Sequence, residues 1–254
     1  MDLVERTIYN RYVKTLNQQG FMLDILDDFG LGFVNYVHQY MQQHQQCEVL
    51  EIGAAFGIAT LPTLATGAHV VCNDLDAAHL AIVEQRSLKE LQTANMQPQL
   101  TLLPGAFPDE IQLEDNSFDV ILASRVLHFF EPALLMRAVA KMYACLKPGG
   151  KVFIVCETPY RMDCVDFCEE YERRKARGDR WPGLLEDVTR YQQLFTDWIP
   201  QQVHWLDVDI LARTLHENHF HIENVEYINR KGVYPDLVLY DGRESVGAIA
   251  VKPV

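Results

Sequence analysis

The chain has 254 residues, 48% of them hydrophobic and 22% charged, a balance that supports a buried core in one large domain or two small ones. Its formal net charge of −13 argues against a nucleic acid partner, because phosphate backbones are bound mainly through Lys and Arg. No apolar window is long enough to span a membrane, and the first residues lack the apolar region of a secretory signal.

Residues 1–46 read as a helical cap. Both "VERTIYNRYVKTLNQQ" and "LGFVNYVHQYMQQHQQ" carry apolar and aromatic residues at helical spacing. An alternation of strand and helix follows over 47–158. "EVLEI" is strand-like, and "IATLPTLAT" reads as a helix with Pro62 near its start, where proline is tolerated. "AHVVCND" is a strand and "AAHLAIVEQRSLKELQ" an amphipathic helix. "QLTLLP" and "SFDVILAS" are strands, "PALLMRAVAKMYACL" a helix, and "KVFIVCE" a fifth strand. Near-continuous apolar strands alternating with helices indicate a doubly wound α/β fold whose mostly parallel sheet is covered on both faces. Residues 159–204 break the rhythm and read as a helical insertion or lid, with helical periodicity in "RMDCVDFCEEYERRK" and "LLEDVTRYQQLFTDW". In 205–254, "DVDILARTLHENHF" is a helix and "HIENVEYI" a strand. "DLVLYDGRESVGAIAV" reads as a hairpin turning at Asp241-Gly242, which gives the sheet an antiparallel C-terminal end. Together these make one domain, 1–254, around a seven-stranded sheet.

Six scattered cysteines, several in apolar runs, suit reduced thiols in the cytoplasm better than a disulfide framework. Cys164 with Cys168, and His216, His219 and His221, lack a recognised ligand spacing, so no metal is assigned. The basic run "YERRKARGDR" reads first as a solvated helix end and second as a substrate or partner contact.

The strongest local signal is "CEVLEIGAAFGIATLPTL". Glycine at a strand-to-helix turn lets the backbone approach a ligand, and an acid at the end of the next strand can hold ribose hydroxyls. Gly53, Gly57 and Asp74 fill these places. A nicotinamide dinucleotide site would need G-x-G-x-x-G, but Ala55 and Ile58 stand at its second and third glycines. Asp74 also sits where a helix cap could stand, although Asp76 suits that role better.

The stretch resembles the first motif of class I S-adenosylmethionine-dependent methyltransferases: an acid (Glu51), then Gly53 and Gly57, with Ala55 replacing the family's middle glycine. Asp74 matches the ribose-binding acid. "DNSFDVILASRVLHFFEP" resembles the fourth-strand motif, and "LKPGGKVFIV" the turn into the fifth strand. The resemblance implies that S-adenosylmethionine is the cofactor and S-adenosylhomocysteine the product. Gly53, Ala54, Ala55 and Gly57 would lie against the methionine part with Glu51 supporting them, and Asp74 would hold the ribose. Leu75 would pack on the adenine, Ala106 and Phe107 would take the place of an absent adenine-loop acid, and Ser124 and Arg125 would border the methionine end. Tyr12 is a candidate contact to the cofactor carboxylate, and Tyr9 shares its helix face. His128, just beyond strand four, is the candidate base or substrate contact.

The reading is a cytoplasmic methyltransferase acting on a small molecule, with no nucleic acid or membrane partner. A homodimer is compatible with the aromatic helices. The rivals are a protein or peptide methyltransferase and a non-catalytic cofactor-binding scaffold of the same fold. Activity on protein fractions would favour the first, and binding without turnover the second.

Overall fold

A computed structural model describes residues 11–92, 97–192, 194 and 196–254. Its centre is a seven-stranded sheet. The chain enters it through β3 (Glu48–Ile52), β4 (His69–Asp74) and β5 (Leu100–Pro104), then crosses to β6 (Phe118–Ser124) and β7 (Leu146–Glu157). Two C-terminal strands, β10 (His221–Ile228) and β11 (Ser245–Val251), complete the order β10-β11-β7-β6-β3-β4-β5. The five strands from β5 to β7 pair in parallel, and β11 is antiparallel to both β7 and β10.

The apolar runs are continuous because both faces are buried, and successive side chains serve different cores. Leu50, Ile52, Ile121 and Ala123 face α4 (Pro132–Cys145) and α6 (Val208–Glu217) through Leu135, Val139, Met142, Leu211 and Leu215. Val49, Val70, Cys72, Val120 and Leu122 face α1 (Asp28–Gln43), α2 (Thr60–Leu64) and α3 (Ala77–Gln92) through Phe33, Val37, Leu64, Leu80 and Val83. Helix starts follow capping rules. Asp27 caps α1 by accepting the Gly30 N–H at 2.7 Å, and Asp207 caps α6 by accepting that of Ile210 at 2.9 Å. Asp76 accepts the Ala78 N–H at 2.9 Å just before α3, which leaves Asp74 to other partners. All six cysteines are free and buried.

Three stretches differ from the sequence reading. Part of the expected first helix is instead a hairpin, β1 (Tyr12–Lys14) against β2 (Phe21–Leu23). Tyr9 and the first ten residues lie outside the described residues. The hairpin buries Tyr12 and Leu23 against Tyr234 and Val238, far away in sequence, and that contact overrides the local periodicity. In the insertion, "RMDCVDFCEEYERRK" does form α5 (Val165–Ala176). "LLEDVTRYQQLFTDW" does not form a helix. It gives the two-residue strand β8 (Leu184–Leu185), paired with β9 (Val203–His204), and single 3-10 turns at Val188–Arg190 and Thr196–Trp198. The C-terminal hairpin joins β10 to β11, and Asp241-Gly242 is a bend in its connection rather than its turn. There the Glu244 carboxylate accepts the N–H groups of Tyr240 (2.8 Å) and Gly242 (2.9 Å), bonds a strand partner would otherwise supply.

The basic run of 171–180 is largely spent within the fold. Arg173 and Arg174 pair with Glu170, Lys175 with Asp207 and Asp209, Arg177 with Asp179, and Arg180 with Glu217.

Candidate functional site

Strand order reverses between β3 and β6, and a crevice opens there beyond the carboxyl ends of the strands, the place where open α/β sheets take ligands. It holds a cavity of about 210 Å³. The β3–α2 turn forms its floor through Glu51, Gly53, Ala54 and Ala55. Gly53 has φ +70° and Ala55 has φ +46°, so the backbone at the family's middle-glycine position keeps a glycine-like conformation with alanine in place. A Cβ on Gly53 would stand 3.0 Å from Val126.

Asp74 ends β4 at the cavity wall, 5% exposed. Its Oδ2 accepts the Ala55 N–H at 2.8 Å, which ties the acid to the glycine turn. Its Oδ1 accepts the Asp76 N–H at 2.9 Å and lies 3.0 Å from His79 Nδ1. His79 Nε2 accepts the Leu16 N–H at 3.0 Å, so the proton sits on Nδ1 and is donated to Asp74. With three partners counted, the carboxylate keeps acceptor capacity on Oδ2. Through His79, the β1–β2 loop is fastened over the same acid. Thr15, Asn17, Gln19 and Gly20 of that loop line the cavity, as does Pro200 of the insertion.

Leu75, 57% exposed, forms one lip of the cavity, and Ala106 and the buried Phe107 another. Asn73 holds the latter loop by donating to the carbonyls of Leu103 (2.8 Å) and Gly105 (2.9 Å). Ser124 ends β6 and Arg125 follows it at the opposite side. The Glu51 carboxylate accepts the Thr60 hydroxyl at 2.6 Å. Burial pushes Glu51 up to about 7, and the Asp74 charge adds to that rise against the Thr60 hydrogen bond.

Three sequence-expected residues do not line this cavity. Gly57 packs under α3, where a Cβ would meet Val83 at 3.2 Å, so the residue serves helix packing. Tyr12 is buried between Phe21 and Tyr234, ring centroids 4.3 and 5.6 Å away, because its segment is a strand and not a helix over the cofactor site. His128 borders a smaller chamber of about 20 Å³, which shares Phe21, Arg125 and Phe129 with the main cavity. His128 Nδ1 accepts the Glu157 N–H at 3.3 Å. Burial drives this imidazole down to about 3, Arg125 and Arg161 push the same way, and Glu157 opposes them. At neutral pH it is an Nε2–H donor rather than a base.

Sequence reasoning missed the charge network beneath that chamber. Glu157, at the end of β7, accepts Arg125 Nη1 (2.5 Å), the Tyr234 hydroxyl (2.5 Å) and Arg161 Nη1 (3.2 Å). Burial alone would raise its carboxyl, but Arg125 and Arg161 hold it at about 2. Arg161 is also gripped by both oxygens of Asp163, at 3.0 and 2.8 Å. The signal for Glu157 was a strand-end acid; nothing in the pattern pointed to Tyr234. His79 was equally hidden, although its place five residues after a strand-end acid is readable afterwards.

Residues 50–154 match the family model described as a methyltransferase domain. Over 115 residues the chain is 31% identical to uncharacterised methyltransferases of Mycobacterium bovis and Mycobacterium tuberculosis, covering 43% of this chain and 40% of theirs. The match thus spans about two fifths of the length of the curated relatives. A SAM-dependent methyltransferase from Methanosarcina mazei aligns with a TM-score of 0.62 at 17% identity, covering 86% of this chain and 97% of that one. The Burkholderia thailandensis 1,6-didemethyltoxoflavin-N1-methyltransferase, solved with its namesake compound and S-adenosylhomocysteine, aligns at 0.59 and 16% identity, covering 89% and 79%. Residues 50–154 are thus similar to a methyltransferase domain, and the fold is that of S-adenosylmethionine-dependent methyltransferases.

Proposed function

We propose that this protein transfers a methyl group from S-adenosylmethionine to a small molecule. The observation that carries the reading is Asp74, a buried strand-end carboxylate hydrogen-bonded to the glycine-turn backbone and bordering a cavity at the sheet's switch point. The residues suit the cofactor. Asp74 Oδ2 would accept a ribose hydroxyl, Leu75, Ala106 and Phe107 would enclose the adenine, and Gly53 to Ala55 with Ser124 would hold the methionine part. Bound there, the cofactor supplies a methyl group already activated on a sulfonium. The protein then has to position the acceptor and exclude water.

The covering of the cavity favours a small acceptor over a protein segment. The β1–β2 loop and Pro200 lie over it, and the loop is fastened by His79. A single-domain arrangement, with hairpin and insertion as parts of the enzyme, follows from this reading, as does a cytoplasmic site of action. No helix among the described residues is long and apolar enough to cross a membrane. The test is conversion of S-adenosylmethionine to S-adenosylhomocysteine in the presence of pooled small metabolites or of protein fractions. Turnover with metabolites supports the proposal, and turnover confined to protein fractions refutes the acceptor class.

A further inference from the structure

The side chamber has features the cofactor does not need. It shares Phe21, Arg125 and Phe129 with the main cavity, at the end proposed for the methionine part. Its other walls include Gln192, Trp205, His128, Glu157 and Arg161. Gln192 is 3% exposed; its Nε2 donates to the Leu194 carbonyl at 2.7 Å, and its Oε1 has no partner among the described residues. The Arg125 Nη1 is committed to Glu157 and Tyr234, while its buried Nε–H likewise has no acceptor among the described residues. An unmet acceptor and an unmet donor, both buried, are costly unless a ligand completes them.

Building on the proposed methyltransferase reading, we propose that the acceptor is a small planar hydroxylated aromatic or heteroaromatic molecule. It binds with one oxygen ionised at Arg125 and a neighbouring O–H or N–H donated to Gln192. Size supports this arrangement. A chamber of about 20 Å³ takes a substituent rather than a ring. The ring therefore stands at the junction, between the aromatic side chains of Phe21 and Phe129. Proton bookkeeping supports it too. His128 Nδ1 already holds the Glu157 N–H, and the Glu157 oxygens are occupied by Arg125, Tyr234 and Arg161. No free base borders the chamber among the described residues, and an ionised oxygen has no proton to lose. Product charge points the same way. Methylating an ionised oxygen leaves a neutral ether, whereas methylating an amine would leave a cation beside Arg125 and Arg161. Asp163 balances Arg161 and Glu157 pairs with Arg125, so the discrimination rests on the unmet Arg125 Nε–H, which an oxyanion can accept and an ammonium cannot.

4-Nitrocatechol is a suitable probe, because it is planar, retains an O–H when singly ionised, and changes colour on ionisation. The experiment first measures S-adenosylhomocysteine binding by calorimetry, then titrates the probe into that complex and records its visible spectrum. The expected result is binding as the monoanion at a pH where the free probe is mostly neutral. Its dimethoxy analogue should bind about tenfold more weakly or worse. Gln192→Leu should weaken the probe about fivefold and Arg125→Lys about tenfold, with S-adenosylhomocysteine affinity retained in Gln192→Leu. A probe that does not bind, binds in its neutral form, or binds no better than its dimethoxy analogue overturns the proposal. So does Gln192→Leu binding like wild type. Failure of S-adenosylhomocysteine to bind, seen before any probe is added, overturns the cofactor reading and this inference with it.

Discussion

Gly53→Ala places a methyl group at the tightest point of the cavity floor. The backbone there has φ +70°, where an L side chain costs about 1–2 kcal/mol. The new Cβ would lie 3.0 Å from both Val126 Cβ and Cγ2, a crowding of the kind that costs roughly 1–3 kcal/mol. Loss of glycine's freedom in the unfolded chain returns about 0.4–1 kcal/mol. The net expectation is a destabilisation of about 1–5 kcal/mol, read in urea as a lower midpoint at unchanged slope. Because Gly53 and Val126 both line the cavity, S-adenosylhomocysteine affinity should fall as well. Ala55→Gly is the matched control. It removes a Cβ from φ +46°, so its stability should stay level or rise by up to about 1 kcal/mol. A Gly53→Ala protein within about 0.5 kcal/mol of wild type, or an Ala55→Gly protein clearly less stable, would refute the argument from backbone geometry.

Glu51 gives the chain a pH signature. Its unfolded carboxyl titrates near 4.5 and its folded one near 7, so the folded chain holds more protons between these values and stability falls as pH rises through that window. The full effect is about 3 kcal/mol, and urea melts of Glu51→Gln should lose this slope and exceed wild type at pH 8. His128 should show no imidazole titration between pH 5 and 8 in an NMR titration, since its value lies near 3; a midpoint near 6.5 would return it to the list of candidate bases. His79→Phe breaks the hydrogen bonds to Asp74 and Leu16 while keeping a buried ring. Faster proteolysis at 15–20 and about tenfold weaker S-adenosylhomocysteine binding are expected, and unchanged proteolysis would mean that the loop is held by other contacts.

The parallel core was legible because its signal is local. Apolar strands such as "VILAS", bounded by glycine or acid, have few other interpretations, and the Gly53–Asp74 pair lies within one strand–helix–strand unit. What failed was decided by distant partners. Tyr9 and Tyr12 lie at a spacing that suits a helix, but the burial of Tyr12 comes from Tyr234 and Val238, more than two hundred residues on. The short connection "NQQG" between the two strands ends on Gly20, whose φ of +154° is open to glycine. "DLVLY" alternates as a strand should, yet Val238 packs on the N-terminal hairpin while Leu237 and Tyr240 face solvent. His128 borders the side chamber just beyond β6. The groups around its imidazole, Glu157, Arg125 and Arg161, converge only in three dimensions and leave no trace in the local pattern.

The central claim is that the Asp74 end of the crevice binds S-adenosylmethionine. Calorimetric titration of wild type and Asp74→Ala with S-adenosylmethionine and S-adenosylhomocysteine tests it most directly. Unfolding in urea establishes that the variant is folded under the conditions used. The account predicts micromolar binding by wild type and at least about a tenfold loss in folded Asp74→Ala, the cost of removing a charged hydrogen-bond acceptor. Folded wild-type protein that binds neither compound, or an Asp74→Ala variant that binds both as tightly, would contradict it.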